Sequence, residues 1–140
     1  MGGCAQQVGA PPNGFEHGAA TRTCRGGDGP AKFPATAIIL AREPISGLAA
    51  PPYPFVTVQV NELSLNQLAG RSWDVGNGEQ ATAYWVSSDT DHAIANRGRI
   101  TVTIVSNNSV VEGDVDLTFP RGPVKGTFKA PWIEPTQICR

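Results

Sequence analysis

The sequence predicts an all-β fold: a single antiparallel β-sandwich or small β-barrel behind a flexible Gly/Pro-rich N-terminal arm. Three observations carry this expectation. Valine, isoleucine and threonine recur at period two in several short runs, the spacing of a strand with one buried face. Gly (16) and Pro (12) make 28 of 140 residues and cluster between those runs, where turns need them. Only one segment of the body carries helix start and stop signals. A chain of 140 residues fits one domain.

The arm comes first. Eight of the sixteen glycines fall in the first 30 residues, with Pro11, Pro12 and Pro30. Val8 and Phe15 are almost the only large apolar side chains there. Such a stretch buries too little surface to offset the entropy of ordering it. Residues 1–34 are therefore expected as a tether and 35–140 as the β domain.

From Ala35 the pattern changes. Residues 35–42 form a short apolar run of strand length, and a Pro-rich loop follows from Gly47 to Pro54. Residues 55–60 set Val56, Val58 and Val60 on one face, with Thr57 and Gln59 on the other. In residues 61–70, Ser64 can cap one short helical turn and Gly70 can end it. Trp73 to Val75 read as a strand running into a turn at Gly76. In residues 80–86, Ala81, Ala83 and Trp85 share one face and Tyr84 the other. Ser87 to Gly98 reads as a polar loop holding Asp89, Asp91 and His92.

The C-terminal third alternates most clearly. Ile100, Val102 and Ile104 are expected inward, and Asn107-Asn108 supplies a turn. Val111, Gly113, Val115, Leu117 and Phe119 share one face of the next run. Residues 120–123 read as a four-residue turn. Val124, Gly126 and Phe128 then point inward on the return. If Phe119 pairs with Val124, Asp114 faces Lys129 and Asp116 lies diagonal to Lys125. The acidic row thus meets a basic one, which gives it a structural explanation. Gly113 and Gly126 mark bulges or room for a large neighbour such as Trp85 or Trp132.

Two resemblances bear on where the protein works. Gly3-Cys4 resembles the end of a bacterial lipobox, with Met1 where the motif carries a bulky apolar residue. Residues 111–139 resemble the terminal hairpin of uncharacterised exported bacterial lipoproteins, in which a late cysteine follows the hairpin. That resemblance implies a compact β-fold and export, and no activity. The lipobox resemblance points to Cys4 as a lipid attachment site and to membrane association through that lipid. Myristoylation at Gly2 fits less well, because Gln6 stands where Ser or Thr is wanted. With Cys4 set aside, Cys24 and Cys139 remain as a candidate disulfide. The loop it closes would stabilise the fold by about 4–5 kcal/mol in the chain-entropy estimate, and it needs an oxidising compartment. The expected address is extracytoplasmic, in the periplasm or at the cell surface.

Composition narrows the function. Eleven basic against twelve acidic residues leave a net charge of −1, which argues against a nucleic-acid partner. No cysteine pair has metal-ligand spacing, and no phosphate loop or dinucleotide fingerprint occurs, so no metal and no cofactor are expected. His17 lies in the arm and His92 in a loop, and no Gly-x-Ser-x-Gly elbow presents a nucleophile. No catalytic residue is assigned. Tyr84, Trp85, Asp89, Asp91 and His92 are the ligand-binding candidates, because an exposed aromatic beside Asp loops suits a glycan or apolar ligand. The leading expectation is a non-enzymatic, lipid-anchored binding or structural module with a protein or glycan partner. The alternatives are a ligand-binding or catalytic barrel with a pocket near Trp85, Asp89 and His92, and a subunit that assembles through its β-edges.

Overall fold

The computed structural model describes residues 14–25, 33–45, 51–60, 67–76, 81–106 and 109–133, with side chains described throughout except at 23–25 and 33–35. Nine strands are described: β1 (His17–Arg25), β2 (Phe33–Ala41), β3 (Phe55–Val60), β4 (Arg71–Val75), β5 (Ala81–Val86), β6 (His92–Ile94), β7 (Arg97–Ser106), β8 (Val110–Phe119) and β9 (Gly122–Pro131). They form one mixed sheet in the order β1-β2-β3-β5-β4-β7-β8-β9, with β6 added beside β5. The all-β expectation holds.

The sheet coils until its two end strands meet, so the architecture is a nearly closed barrel. A parallel bridge joins Ala20 to Trp132. Ile133 N–H donates to the Ala20 carbonyl at 2.8 Å, and Thr21 Oγ1 donates to the Ile133 carbonyl at 2.7 Å. Gly18 makes the approach possible, since a Cβ there would lie 2.5 Å from the Lys129 carbonyl oxygen.

β1 lies inside the segment that the sequence assigned to the tether, so the ordered domain starts earlier than residue 35. It pairs with β2 along its whole length, from His17–Ala41 to Arg25–Phe33. Small residues sufficed, because Ala19 and Ala20 are buried by their neighbours and Phe15 reaches the core. A count of large apolar side chains misses a strand of this kind.

The inward rows are those the alternation suggests. Ile38, Leu40, Val56, Val58, Val60, Ala81 and Ala83 are fully buried, as are Ile100, Val102 and Leu117. Burying a chain of valines and leucines is the main favourable term of such a fold.

Four local differences have physical causes. Val102 pairs with Gly113 but Ile104 pairs with Glu112, so Thr103 is an extra residue in β7. The bulge reverses the alternation: Ile104 is 51% exposed, and Val105 packs against the core in its place. The β8–β9 hairpin closes through a two-residue turn at Pro120-Arg121, with Phe119 opposite Gly122. The pairing is therefore two residues away from the expected register, Asp116 faces Lys125 and Asp114 faces Thr127. An even shift leaves every side chain on its face. Within the polar segment 87–98, β6 pairs His92 with Val86 and Ile94 with Tyr84. Finally, β4 and β5 touch in parallel at Val75–Ala81, so the sheet is not antiparallel throughout. Of the proposed helix, residues 67–70 form a turn with Leu68 buried, and 61–66 lie outside the described residues.

Candidate functional site

Three places could engage a ligand: the outer face of β5 and β6, the aromatic end of the barrel, and the seam between β1 and β9.

On the outer face, Tyr84 and His92 meet edge to face at 5.9 Å between ring centroids. Their pairing follows from the β5–β6 register, in which His92 sits beside Val86, two residues along from Tyr84. Asp89 and Asp91 are exposed on the adjoining turn. The Ser87 and Ser88 N–H groups donate to the Asp91 carbonyl at 2.9 and 3.2 Å. Ser88 Oγ is engaged locally with Thr90, at 3.4 Å from its hydroxyl and 3.2 Å from its N–H. Four of the five candidate residues thus share one outer region. Trp85 does not join them, because alternation sends it inward. Among the described residues, no group of three His, Cys, Asp or Glu side chains is placed to hold a metal ion.

Trp85 instead organises one end of the barrel. Phe15 meets it edge-on at 5.2 Å and Phe119 at 5.9 Å. Arg42, just past β2, places its Cζ 4.9 Å from the Phe15 centroid and 5.8 Å from that of Trp85. Arg121, in the β8–β9 turn, lies 5.1 Å from the Trp85 centroid. Trp85 is only 9% exposed, and its indole N–H is buried without an acceptor among the described residues. A buried donor of this kind is uncommon in folded proteins.

The seam holds a half-open cleft of about 630 Å³. It runs from the start of β1 across β9 and β8 to the β7 bulge. Phe15, Leu40 and Phe128 lie buried behind its wall and the exposed Ile104 supplies apolar surface, while Glu16, Glu112 and Asp114 bring carboxylates, with His17 and Lys129 beside them. Ser106 Oγ donates to Glu112 Oε2 at 3.3 Å. Sequence reasoning missed this cleft for two reasons. Glu16 and His17 lay in the presumed arm, and Ile104 reaches the cleft only because the bulge turned it outward. Phe15, an isolated large apolar residue among glycines and prolines, was the one available signal.

Cys4 and Cys139 lie outside the described residues, as does the side chain of Cys24. Comparison with known proteins finds no matching family model, no similar curated protein and no matching solved structure.

Proposed function

We propose that this chain is a non-enzymatic, extracytoplasmic binding module, lipid-anchored through Cys4, whose ligand seats in the seam cleft. The observation that carries this reading is the division between a filled interior and an open seam. The inward rows of the barrel are fully buried side chains, so they occupy the space a lipocalin-like ligand would need. The cleft of about 630 Å³ lies within the usual range for small-ligand sites and sets the exposed Ile104 side chain beside an acidic rim. Carboxylates accept hydrogen bonds, so the rim suits a donor-rich partner such as a glycan or a lysine-bearing protein segment.

The direction of the strands supports the Cys24–Cys139 staple. β1 and β9 run parallel where Ala20 meets Trp132. Cys24 on β1 and Ile133 therefore both lie beyond that bridge toward the same end of the barrel. The lipobox-like Gly3-Cys4 and the terminal hairpin support export and anchoring.

Intact mass spectrometry of the protein from its native host tests the address. A lipid mass on Cys4, with a gain of two protons on reduction, is expected. An unlipidated chain with three free thiols would overturn it. For the cleft, Glu16→Gln with Asp114→Asn is expected to weaken binding to a glycan or peptide array relative to the unsubstituted chain. Unchanged binding would remove the cleft from the reading.

A further inference from the structure

Two guanidinium groups converge on one buried ring. Arg42 and Arg121 come from different loops and place their Cζ atoms 5.8 and 5.1 Å from the Trp85 centroid. An aromatic face attracts a cation, which accounts for either one alone. Two cations gathered near one ring raise the local positive potential, which favours an anion beside them. Neither forms an ion pair or hydrogen bond with another described residue. Glu16 and Glu43 are exposed next to this end in sequence, yet neither is paired with Arg42. The Trp85 indole N–H is also buried, with no hydrogen-bond acceptor among the described residues. Among the described residues, this end of the barrel thus gathers two arginines that have no ion-pair partner.

We propose that Arg42 and Arg121 form an anion site that takes a phosphate group, with Trp85 and Phe15 as its apolar wall. The planar guanidinium fork matches the oxygens of a tetrahedral oxyanion. Two cations balance the charge of a phosphate. Arg121 is held by the tight Pro120-Arg121 turn that closes β8 onto β9, and Arg42 follows directly on Ala41, which is paired on both sides. Both cations therefore stand on fixed backbone at the rim. The same chemistry serves a free phosphate or the headgroup of an anionic lipid. The site adjoins the carboxylate-rimmed cleft at Phe15 but uses none of its carboxylates, so it stands whether or not that cleft binds a ligand.

The test uses the full chain labelled with ¹⁵N. Trp85→Phe identifies the Trp85 indole resonance. Inorganic phosphate is then titrated at constant ionic strength, with chloride as the control. A saturating shift of the Trp85 indole and arginine Nε signals is expected with phosphate alone. It should weaken about tenfold in Arg42→Gln or Arg121→Gln and vanish in the double variant. Both arginines are exposed, so these variants keep the fold, and the same spectra show it. A second arm compares sedimentation with phosphatidylcholine vesicles and with vesicles containing phosphatidylglycerol. Arginine-dependent binding to the anionic vesicles, without a response to free phosphate, identifies a headgroup as the source. No response in either arm, an equal shift with chloride, or full binding by the double variant would overturn the site.

Discussion

Asp116 on β8 and Lys125 on β9 stand directly opposite each other, with Oδ2 and Nζ 3.9 Å apart. The contact exists because the hairpin closes in two residues at Pro120-Arg121. A four-residue turn would have set the two side chains on a diagonal. The ion pair is thus a readout of the register.

Its energetic role is small. Both side chains are mostly exposed, 60% for Asp116 and 73% for Lys125. A double-mutant cycle with Asp116→Asn and Lys125→Gln should give a coupling of about 0.2–1 kcal/mol, fading in 1 M salt. Chemical denaturation measures it. A larger, salt-independent coupling would mean the pair is desolvated.

The β7 bulge separates two isoleucines that simple alternation treats as equivalent. Ile100 is fully buried and Ile104 is 51% exposed. Ile100→Ala should cost about 2–5 kcal/mol. Ile104→Ala should stay within about 0.5 kcal/mol of the parent. Equal losses in urea titration would argue against the bulge.

Gly113 is held by contact. A Cβ at this position would overlap the Thr101 carbonyl oxygen, with Val102 Cα also at 3.0 Å. Gly113→Ala should therefore destabilise by about 3 kcal/mol, because the obstruction is backbone and cannot rotate away. Gly122, whose added Cβ would meet nothing within 4 Å, offers a comparison. There the loss should come from its φ of +139° alone. Thermal melts of the two variants separate crowding from conformational strain.

The domain needs residues before Ala35. A chain starting at Gly14 should unfold cooperatively, and one starting at Ala35 should not, since it lacks β1 and Phe15. Phe15→Ala in the full chain should cost about 3–5 kcal/mol through the loss of its contact with Trp85. Circular dichroism melts would distinguish these outcomes. Cooperative folding of the shorter chain would return β1 to the tether.

What the sequence disclosed follows from how far each signal reaches. Alternation is local, so it grouped Val56 with Val58, Trp85 with Ala81 and Ala83, and Leu117 with Phe119 on shared faces, as the barrel has them, without saying whether Trp85 or Tyr84 faced inward. It carries no information about an inserted residue, so it placed Ile104 inward, where the bulge at Thr103 prevents it. It also tolerates any even shift, so the hairpin faces came out right with the pairing two residues off. β1 was hidden because its alanines Ala19 and Ala20 are buried by partners that only the folded sheet supplies. The site fared worse for the same reason. Tyr84 and His92 meet through adjacent strands, and Asp89 and Asp91 share their turn, so local reading found them together. The cleft and the Arg42–Trp85–Arg121 cluster draw on residues from opposite ends of the chain, which no local pattern links.

The seam between β1 and β9 also dictates an order of events. Ala20 can meet Trp132 only after every intervening strand has been synthesised. Emerging from a ribosome, the chain would exist as an open ribbon with two raw edges until Gly122–Pro131 arrives. Contacts over so long a separation close slowly, because the loop entropy is lost before the bonds form. During that interval the exposed edges can capture other strands. A helper that shields those edges would thus matter most in the last moments of synthesis, and stalling the chain before β9 should leave a species prone to aggregate.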